Sequence, residues 1–174
     1  MIVKHPKNGS SPDFDWRYLD TSNDLICPWY TVDTLLWLDS IHLSDKSVFE
    51  YGCGLSSYWW QKKTKKWNGV DDSRIWAEPC GCTIKTDLTN YVESCTDTYD
   101  IVVVDGSWRN ECIKHALTKI NKNGYLIVDN WNQASVDMPE SFWKPSTELL
   151  FNYKKCIYKE PKHEDWKTAV FFIE

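Results

Sequence analysis

The sequence lacks any long apolar run. Nothing in its 174 residues approaches 18 consecutive apolar residues, so no transmembrane helix is expected. The first six residues, Met1 to Pro6, also lack the apolar stretch of a secretory signal peptide. We therefore expect a cytoplasmic protein that does not partner with a membrane.

An excess of basic residues is also missing. The formal net charge is −5 at pH 7, whereas non-specific binding to nucleic acid depends on a basic surface. The one basic cluster, Gln61 to Lys66, is predicted to be a solvated helix face. This balance disfavours nucleic acid as a partner.

The cysteines lack the spacing of a metal site or of a disulfide framework. There are seven, an odd number, and Cys80-Gly81-Cys82 is C-x-C where zinc sites repeat C-x-x-C. Because no secretion signal is present, we expect reduced thiols within a cytosolic core.

No internal repeat and no linker divides the chain, and its length suits one domain. The polar first residues, 1–27, predict an irregular arm. Residues 28–174 then form a single domain.

The stretch from Val48 to Ser57 predicts a strand, a glycine turn and the start of a helix. Its first residues are β-branched and aromatic, as in a buried strand. Gly52 and Gly54 permit backbone angles and close ligand approach that a Cβ would forbid. Ser56 or Ser57 can cap the following helix, which we place at about 57–66. This unit binds nucleotide-like ligands in open α/β sheets.

The turn lacks the third glycine of a dinucleotide-binding G-x-G-x-x-G motif, because Ser57 stands in that position. Instead an acid, Glu50, stands two residues before the first glycine, which gives E-x-G-x-G.

Further strands alternate with helices. We predict strands at 67–71, 82–86, 99–104, 125–128, 153–158 and 167–173, and helices at about 31–43, 73–78 and 108–120. Pro79 is expected to end the second of these helices, and Asn123-Gly124 the third. The connection between the last two strands is too short for a helical crossover, so they should be antiparallel.

Acidic residues follow the predicted strands. Asp71 lies nineteen residues after Gly52, where an acid can accept hydrogen bonds from a ribose. Asp72 is its competitor for this role, and the alternative is a pair of turn-forming aspartates. Asp87, after the third strand, can cap a helix that starts at Leu88.

These features resemble those of class I S-adenosylmethionine-dependent methyltransferases over about residues 28–174. The resemblance is carried by Glu50-x-Gly52-x-Gly54, Asp71, Asp87, Asp105-Gly106, Asn123-Gly124-Tyr125 and the final strand pair. It implies a Rossmann-like α/β fold: a seven-stranded, mostly parallel sheet with helices on both faces and a C-terminal antiparallel hairpin.

The resemblance also implies that S-adenosylmethionine lies across the C-terminal ends of the strands. Glu50 would orient the glycine turn, Asp71 would hold the ribose and Asp87 would approach the adenine. The full set of implied cofactor-binding residues is Glu50, Gly52, Cys53, Gly54, Ser56, Ser57, Asp71, Asp72, Asp87 and Asp105.

Asp105, Asp129 and Asn130 resemble the metal-binding residues of catechol-type O-methyltransferases, and oxygen ligands of this kind suit Mg²⁺. In the alternative, Asp129-Asn130 is a polar turn and Asp105 contacts cofactor or acceptor directly. Arg109 could clamp an anionic acceptor or the cofactor carboxylate, or pair with a surface acid. The candidate catalytic residues are therefore Asp105, Arg109 and Asp129.

The sequence thus favours an S-adenosylmethionine-dependent methyltransferase that acts on an oxygen of a small molecule or sugar. Trp29, Tyr30 and Trp131 could wall the acceptor pocket or simply pack. The competing functions are an NAD-dependent oxidoreductase and a non-catalytic cofactor-binding module with the same fold.

Overall fold

The computed structural model describes residues 27–133, 139–161 and 163–174. The arm predicted at residues 1–27 lies almost wholly outside these ranges. The strands in chain order are β1 (Ser47–Tyr51), β2 (Lys66–Asp71), β3 (Thr83–Ile84), β4 (Tyr99–Val104), β5 (Ile120–Val128), β6 (Lys155–Glu160) and β7 (His163–Phe172).

These strands form one sheet in the order β3-β2-β1-β4-β5-β7-β6. The first five run parallel, and β7 inserts antiparallel between β5 and β6. The predicted fold class, a mostly parallel seven-stranded sheet with an antiparallel C-terminal hairpin, is confirmed.

Helices cover both faces of the sheet. They are α1 (Val32–Ser40), α2 (Leu55–Lys63), α3 (Arg74–Cys80), α4 (Leu88–Val92), α5 (Arg109–Ala116) and α6 (Lys144–Leu149), with a 3₁₀ helix at Glu140–Trp143 before α6. Within the described part of the chain, no helix is both long enough and apolar enough to cross a membrane.

Strand β4 lies at the centre of the sheet and is buried on both faces. Val102 and Val104 pack into one hydrophobic cluster with residues of α5, while Ile101 and Val103 pack into the other with residues of α1 and α2. All four side chains are fully buried. The run of β-branched residues therefore has the position in a parallel sheet that its composition predicts.

Several predicted element boundaries were wrong, and three of them bear on the site or its neighbours. Helix α2 starts at Leu55, so Gly54 takes the N-cap position and Ser57 the third helical position. Helix α3 continues through Pro79 and ends where Gly81 adopts a left-handed conformation. Asn123, also left-handed, does not end α5; it lies within β5, where its N–H donates to Ile173 O.

The expectation that all cysteines are reduced was also wrong. Cys53 and Cys82 form a disulfide, and their Cα atoms are 6.9 Å apart. The bond joins the glycine turn after β1 to the residue before β3. The pairing could not be deduced from spacing, because it depends on β2 lying between β1 and β3 in the sheet. The other five cysteines are free.

Candidate functional site

A cavity of about 330 Å³ opens at the C-terminal ends of β1, β2 and β4. Ligands of open α/β sheets bind at this edge. The cavity brings together most of the residues predicted from sequence. Its walls are formed by Trp29, Gly52, Cys53, Gly54, Leu55, Ser56, Asp71, Asp72, Ser73, Trp76, Asp105, Gly106 and Ser107.

The glycine turn is shaped by contacts that a side chain would block. Gly52 has φ +90°, which L side chains rarely adopt, and its N–H donates to Val70 O at 2.9 Å. Farther along the turn, Gly54 N–H donates to Ser57 Oγ at 3.0 Å. The turn is therefore held by β2 on one side and by the first turn of α2 on the other.

Glu50 lies under this turn and is fully buried. Its Oε2 accepts hydrogen bonds from Ser57 Oγ at 2.6 Å and from Trp67 Nε1 at 3.2 Å. Its Oε1 is buried and has no hydrogen-bond partner among the described residues. Burial raises the pKa of Glu50 to about 7. The second carboxylate oxygen is therefore an unsatisfied buried acceptor beneath the turn, although Glu50 does not itself line the cavity.

Asp71 connects the tip of β2 to the glycine turn. Its Oδ2 accepts from Cys53 N at 2.7 Å and its Oδ1 accepts from Ser73 N at 2.7 Å. Each carboxylate oxygen has two lone pairs, so both can still accept a ligand hydroxyl. Burial raises the pKa of Asp71. Asp72 takes a different role, because its Oδ2 accepts from Ser107 Oγ at 2.7 Å and joins β2 to the loop after β4.

Arg109 lies at the tips of β4 and β5 and is 8% exposed. Its Nη2 donates to Asp105 O at 2.7 Å and contacts Asp105 Oδ1 at 3.1 Å and Asn130 Oδ1 at 3.2 Å. Its Nη1 donates to Asp129 O, and its Nε to Gly106 O at 3.1 Å. One guanidinium thus binds the three residues that were predicted to share a metal ion.

The carboxylate of Asp129 has other partners. Its Oδ1 accepts from Thr168 Oγ1 at 2.6 Å, and both oxygens lie 3.3–3.4 Å from Trp166 Nε1. The side chain is therefore held by β7, while its backbone carbonyl meets Arg109. Burial, with the nearby Asp105 charge, raises the pKa of Asp129. The pKa of Asp105 is also raised by burial, and the Arg109 charge offsets part of that rise.

Glu50, Ser57, Arg109, Asp129 and Asn130 adjoin the cavity without lining it, and Asp87 and Trp131 have other roles. Asp87 is exposed and accepts from Asn90 N at 3.0 Å, so it is the N-cap of α4. Trp131 is buried and packs against Trp143 and Phe171. In the structure Asp87 therefore caps a helix and Trp131 packs in the core. An adenine contact by Asp87 stays a prediction.

Sequence reasoning missed Ser73, Trp76 and Ser107, which line the cavity. Ser73 directly follows Asp71-Asp72 and Trp76 lies in the first turn of α3, and the first residues after a strand-tip acid border the same crevice. That position could have identified both. Ser107 follows Asp105-Gly106 in the same way.

The cavity walls are acidic. Asp71, Asp72 and Asp105 contribute carboxylates, and none of the wall residues is Lys or Arg. A site of this charge attracts a cation and repels a ligand that carries several phosphates. The electrostatics therefore favour a sulfonium or ammonium ligand over a dinucleotide.

No family model matches the sequence, and no curated protein matches it. Solved structures do match. A caffeoyl-CoA O-methyltransferase candidate from Staphylococcus aureus has a TM-score of 0.60 at 11% identity, over 82% of this chain and 81% of that chain.

Two further matches contain a bound cofactor or its product. The O-methyltransferase TomG from Streptomyces achromogenes, in complex with SAM, has a TM-score of 0.55 at 17% identity, over 74% of this chain and 73% of that chain. The N-methyltransferase NodS from Bradyrhizobium japonicum WM9, in complex with S-adenosyl-L-homocysteine, has a TM-score of 0.54 at 14% identity, over 87% and 93%.

Identities this low establish the fold alone. The chain has the Rossmann-like fold of the class I S-adenosylmethionine-dependent methyltransferases. The resemblance predicted from the sequence is confirmed at that level.

Proposed function

We propose that this protein is an S-adenosylmethionine-dependent methyltransferase that acts on an oxygen of a small molecule or sugar. The observation that carries the proposal is the acidic cavity at the strand tips. It combines three carboxylates in the cavity walls with the glycine turn at Gly52 and the unpartnered Oε1 of Glu50 beneath that turn. These groups suit a ligand with a positive sulfonium, an ammonium and a ribose.

The residues present fit this cofactor. Glu50 would stabilise the turn that borders the methionine portion, and its free Oε1 would face the ammonium through the turn or a water. Asp71 would accept both ribose hydroxyls with lone pairs that the Cys53 and Ser73 amides leave free. When bound, S-adenosylmethionine supplies an activated methyl group.

Asp105 is the proposed catalytic base. It lines the cavity, and its side chain is 28% exposed there. Its raised pKa makes it a better proton acceptor than an ordinary aspartate. It would take the proton from an acceptor hydroxyl at a carboxylate oxygen. Asp129 would act as a positioning residue, since its carboxylate bonds Thr168 rather than facing the cavity.

The net charge of −5 weighs against nucleic acid.

Calorimetric titration tests the proposal. S-adenosylmethionine and S-adenosylhomocysteine should bind the native protein, and NADH should not. In Asp71→Asn, loss of charge-assisted hydrogen bonds of about 1.5–3 kcal/mol should weaken binding roughly 10- to 100-fold. Asp97→Asn, an exposed aspartate paired with Lys66, is the matched control. Binding of NADH alone by folded protein would overturn the proposal in favour of an oxidoreductase.

Methyl transfer is then measured with labelled cofactor and a panel of hydroxyl and carboxyl acceptors. Asp105→Asn should lower turnover while leaving S-adenosylhomocysteine bound. Cofactor binding without transfer to any acceptor in the panel would favour the non-catalytic module.

A further inference from the structure

The tips of β4 and β5 hold a set of oxygens that resembles a metal site. The set consists of Asp105 Oδ1, Asn130 Oδ1 and the Asp129 carbonyl, which all contact one guanidinium. Mg²⁺ would need its ligands at about 2.0–2.1 Å in an octahedral arrangement with several waters. The residues that were predicted to hold the metal are therefore already bound to a cation.

The contacts of Arg109 leave little of its side chain free. Nε and Nη2 donate to Gly106 O and Asp105 O, and Nη2 also contacts the Asp105 carboxylate and the Asn130 amide. The guanidinium carries a positive charge. A divalent ion placed among the same oxygens would be repelled by this charge at short range. It could enter only if Arg109 moved and gave up these hydrogen bonds.

The third expected ligand is also engaged elsewhere. The carboxylate of Asp129 accepts from Thr168 Oγ1 at 2.6 Å and lies near Trp166 Nε1. Only its carbonyl takes part in the cluster. Within residues 27–133, 139–161 and 163–174, no three His, Cys, Asp or Glu side chains are grouped so that they could hold a metal ion. The residues present thus do not fit the metal that the catechol-type resemblance implied.

We infer that Arg109 is the resident cation of this site and takes the place of a divalent metal. The inference rests on the proposed methyltransferase function and specifies which group supplies the positive charge beside the cavity. Arg109 is then a positioning residue: it fixes the Asp105 carboxylate at the cavity edge and ties the β4 and β5 tips together. The same contacts leave it poorly suited to clamp an anionic acceptor.

Mn²⁺ binding tests this inference. It is measured as the loss of the electron paramagnetic resonance signal of the free ion. The native protein, with and without S-adenosylhomocysteine, should show no saturable Mn²⁺ binding up to millimolar concentration. Arg109→Ala should gain a saturable site, and adding Asp105→Asn should remove it. Arg74→Ala deletes an exposed arginine from another helix and should gain nothing. If Arg109→Ala does not fold, Arg109→Met keeps the unbranched stem of the side chain without its charge.

Two outcomes overturn the inference. In the first, native protein binds Mn²⁺ and Asp105→Asn abolishes that binding. In the second, a folded Arg109 variant gains no site, so the oxygens do not form a cation site. S-adenosylhomocysteine affinity is measured on the same samples. If native protein fails to bind it, the proposed function fails, whatever the Mn²⁺ result.

Discussion

Gly52 and Gly106 meet backbone to backbone at the edge of the sheet. A Cβ on Gly52 would lie 2.4 Å from Gly106 N, and a Cβ on Gly106 would lie 2.7 Å from Gly52 Cα. The loops after β1 and β4 therefore touch where the cavity forms. The E-x-G-x-G pattern and the Asp105-Gly106 pair are thus parts of one structural contact.

Replacing Gly52 by alanine should be costly for two separate reasons. The residue has φ +90°, and a left-handed alanine costs about 1–2 kcal/mol. The clash with Gly106 adds about 1–3 kcal/mol. We expect Gly52→Ala to lower the free energy of unfolding by about 2–5 kcal/mol in urea denaturation.

The control is Gly81→Ala. Gly81 also has a positive φ, +72°, but a Cβ there meets nothing within 4 Å. It should lose only the conformational part, about 1–2 kcal/mol. Equal destabilisation by the two substitutions would contradict the contact with Gly106.

Glu50 should make the stability of the ligand-free protein depend on pH. Burial raises its pKa from 4.5 to about 7. The folded protein therefore holds this proton more tightly than the unfolded chain. The stabilisation by Glu50 is fully present below about pH 4.5 and is lost as the pH rises through about 7. Relative to Glu50→Gln, native protein should lose stability over that range in thermal melts.

Glu78→Gln is the matched control, because Glu78 is exposed beside Arg74. It removes a carboxylate from the surface by the same chemical change. A stability difference for Glu50→Gln that does not vary with pH would show that the buried carboxyl titrates normally.

The sheet could be predicted largely from local patterns. The β-branched run of β4 and the short connection between β6 and β7 each specify a strand arrangement through neighbouring residues alone. Asp71 was predicted in the same way, because the distance from Gly52 places it on the adjacent strand. Predicted boundaries were wrong where one residue pattern is compatible with two structures. Asn123, for example, adopts its left-handed conformation within β5 and not at the end of α5.

The charged interior of the site could not be predicted in this way. Asp129 is held by Thr168, 39 residues later in the chain, and that strand inserts antiparallel beside β5. The position of the Arg109 guanidinium depends on the loops after β4 and β5 meeting at the edge of the sheet. Sequence spacing therefore identified the residues of the cluster but not which of them supplies its positive charge.

Two substitutions of Asp87 distinguish its role as a helix cap from a role in cofactor binding. Its carboxylate caps α4 through Asn90 N, and loss of such a cap costs about 1 kcal/mol. We expect Asp87→Ala to lose about this much stability with unchanged affinity for S-adenosylhomocysteine by calorimetry. Asp87→Asn keeps a capping oxygen and should retain the stability. Weaker binding in both variants would instead support the adenine contact predicted from the sequence.

The disulfide between Cys53 and Cys82 should stabilise the protein and the cavity wall. Its cysteines are 29 residues apart, and closing a loop of that length is worth roughly 3–4 kcal/mol in the chain-entropy model. Cys82→Ser, or reduction of native protein, should lower the free energy of unfolding by about that amount. S-adenosylhomocysteine should then bind more weakly, because Cys53 belongs to the glycine turn that lines the cavity. Cys156→Ser, at a free and half-buried cysteine, should change neither quantity. Seven titratable thiols in denatured protein purified without reductant would contradict the pairing, since the bond leaves only five.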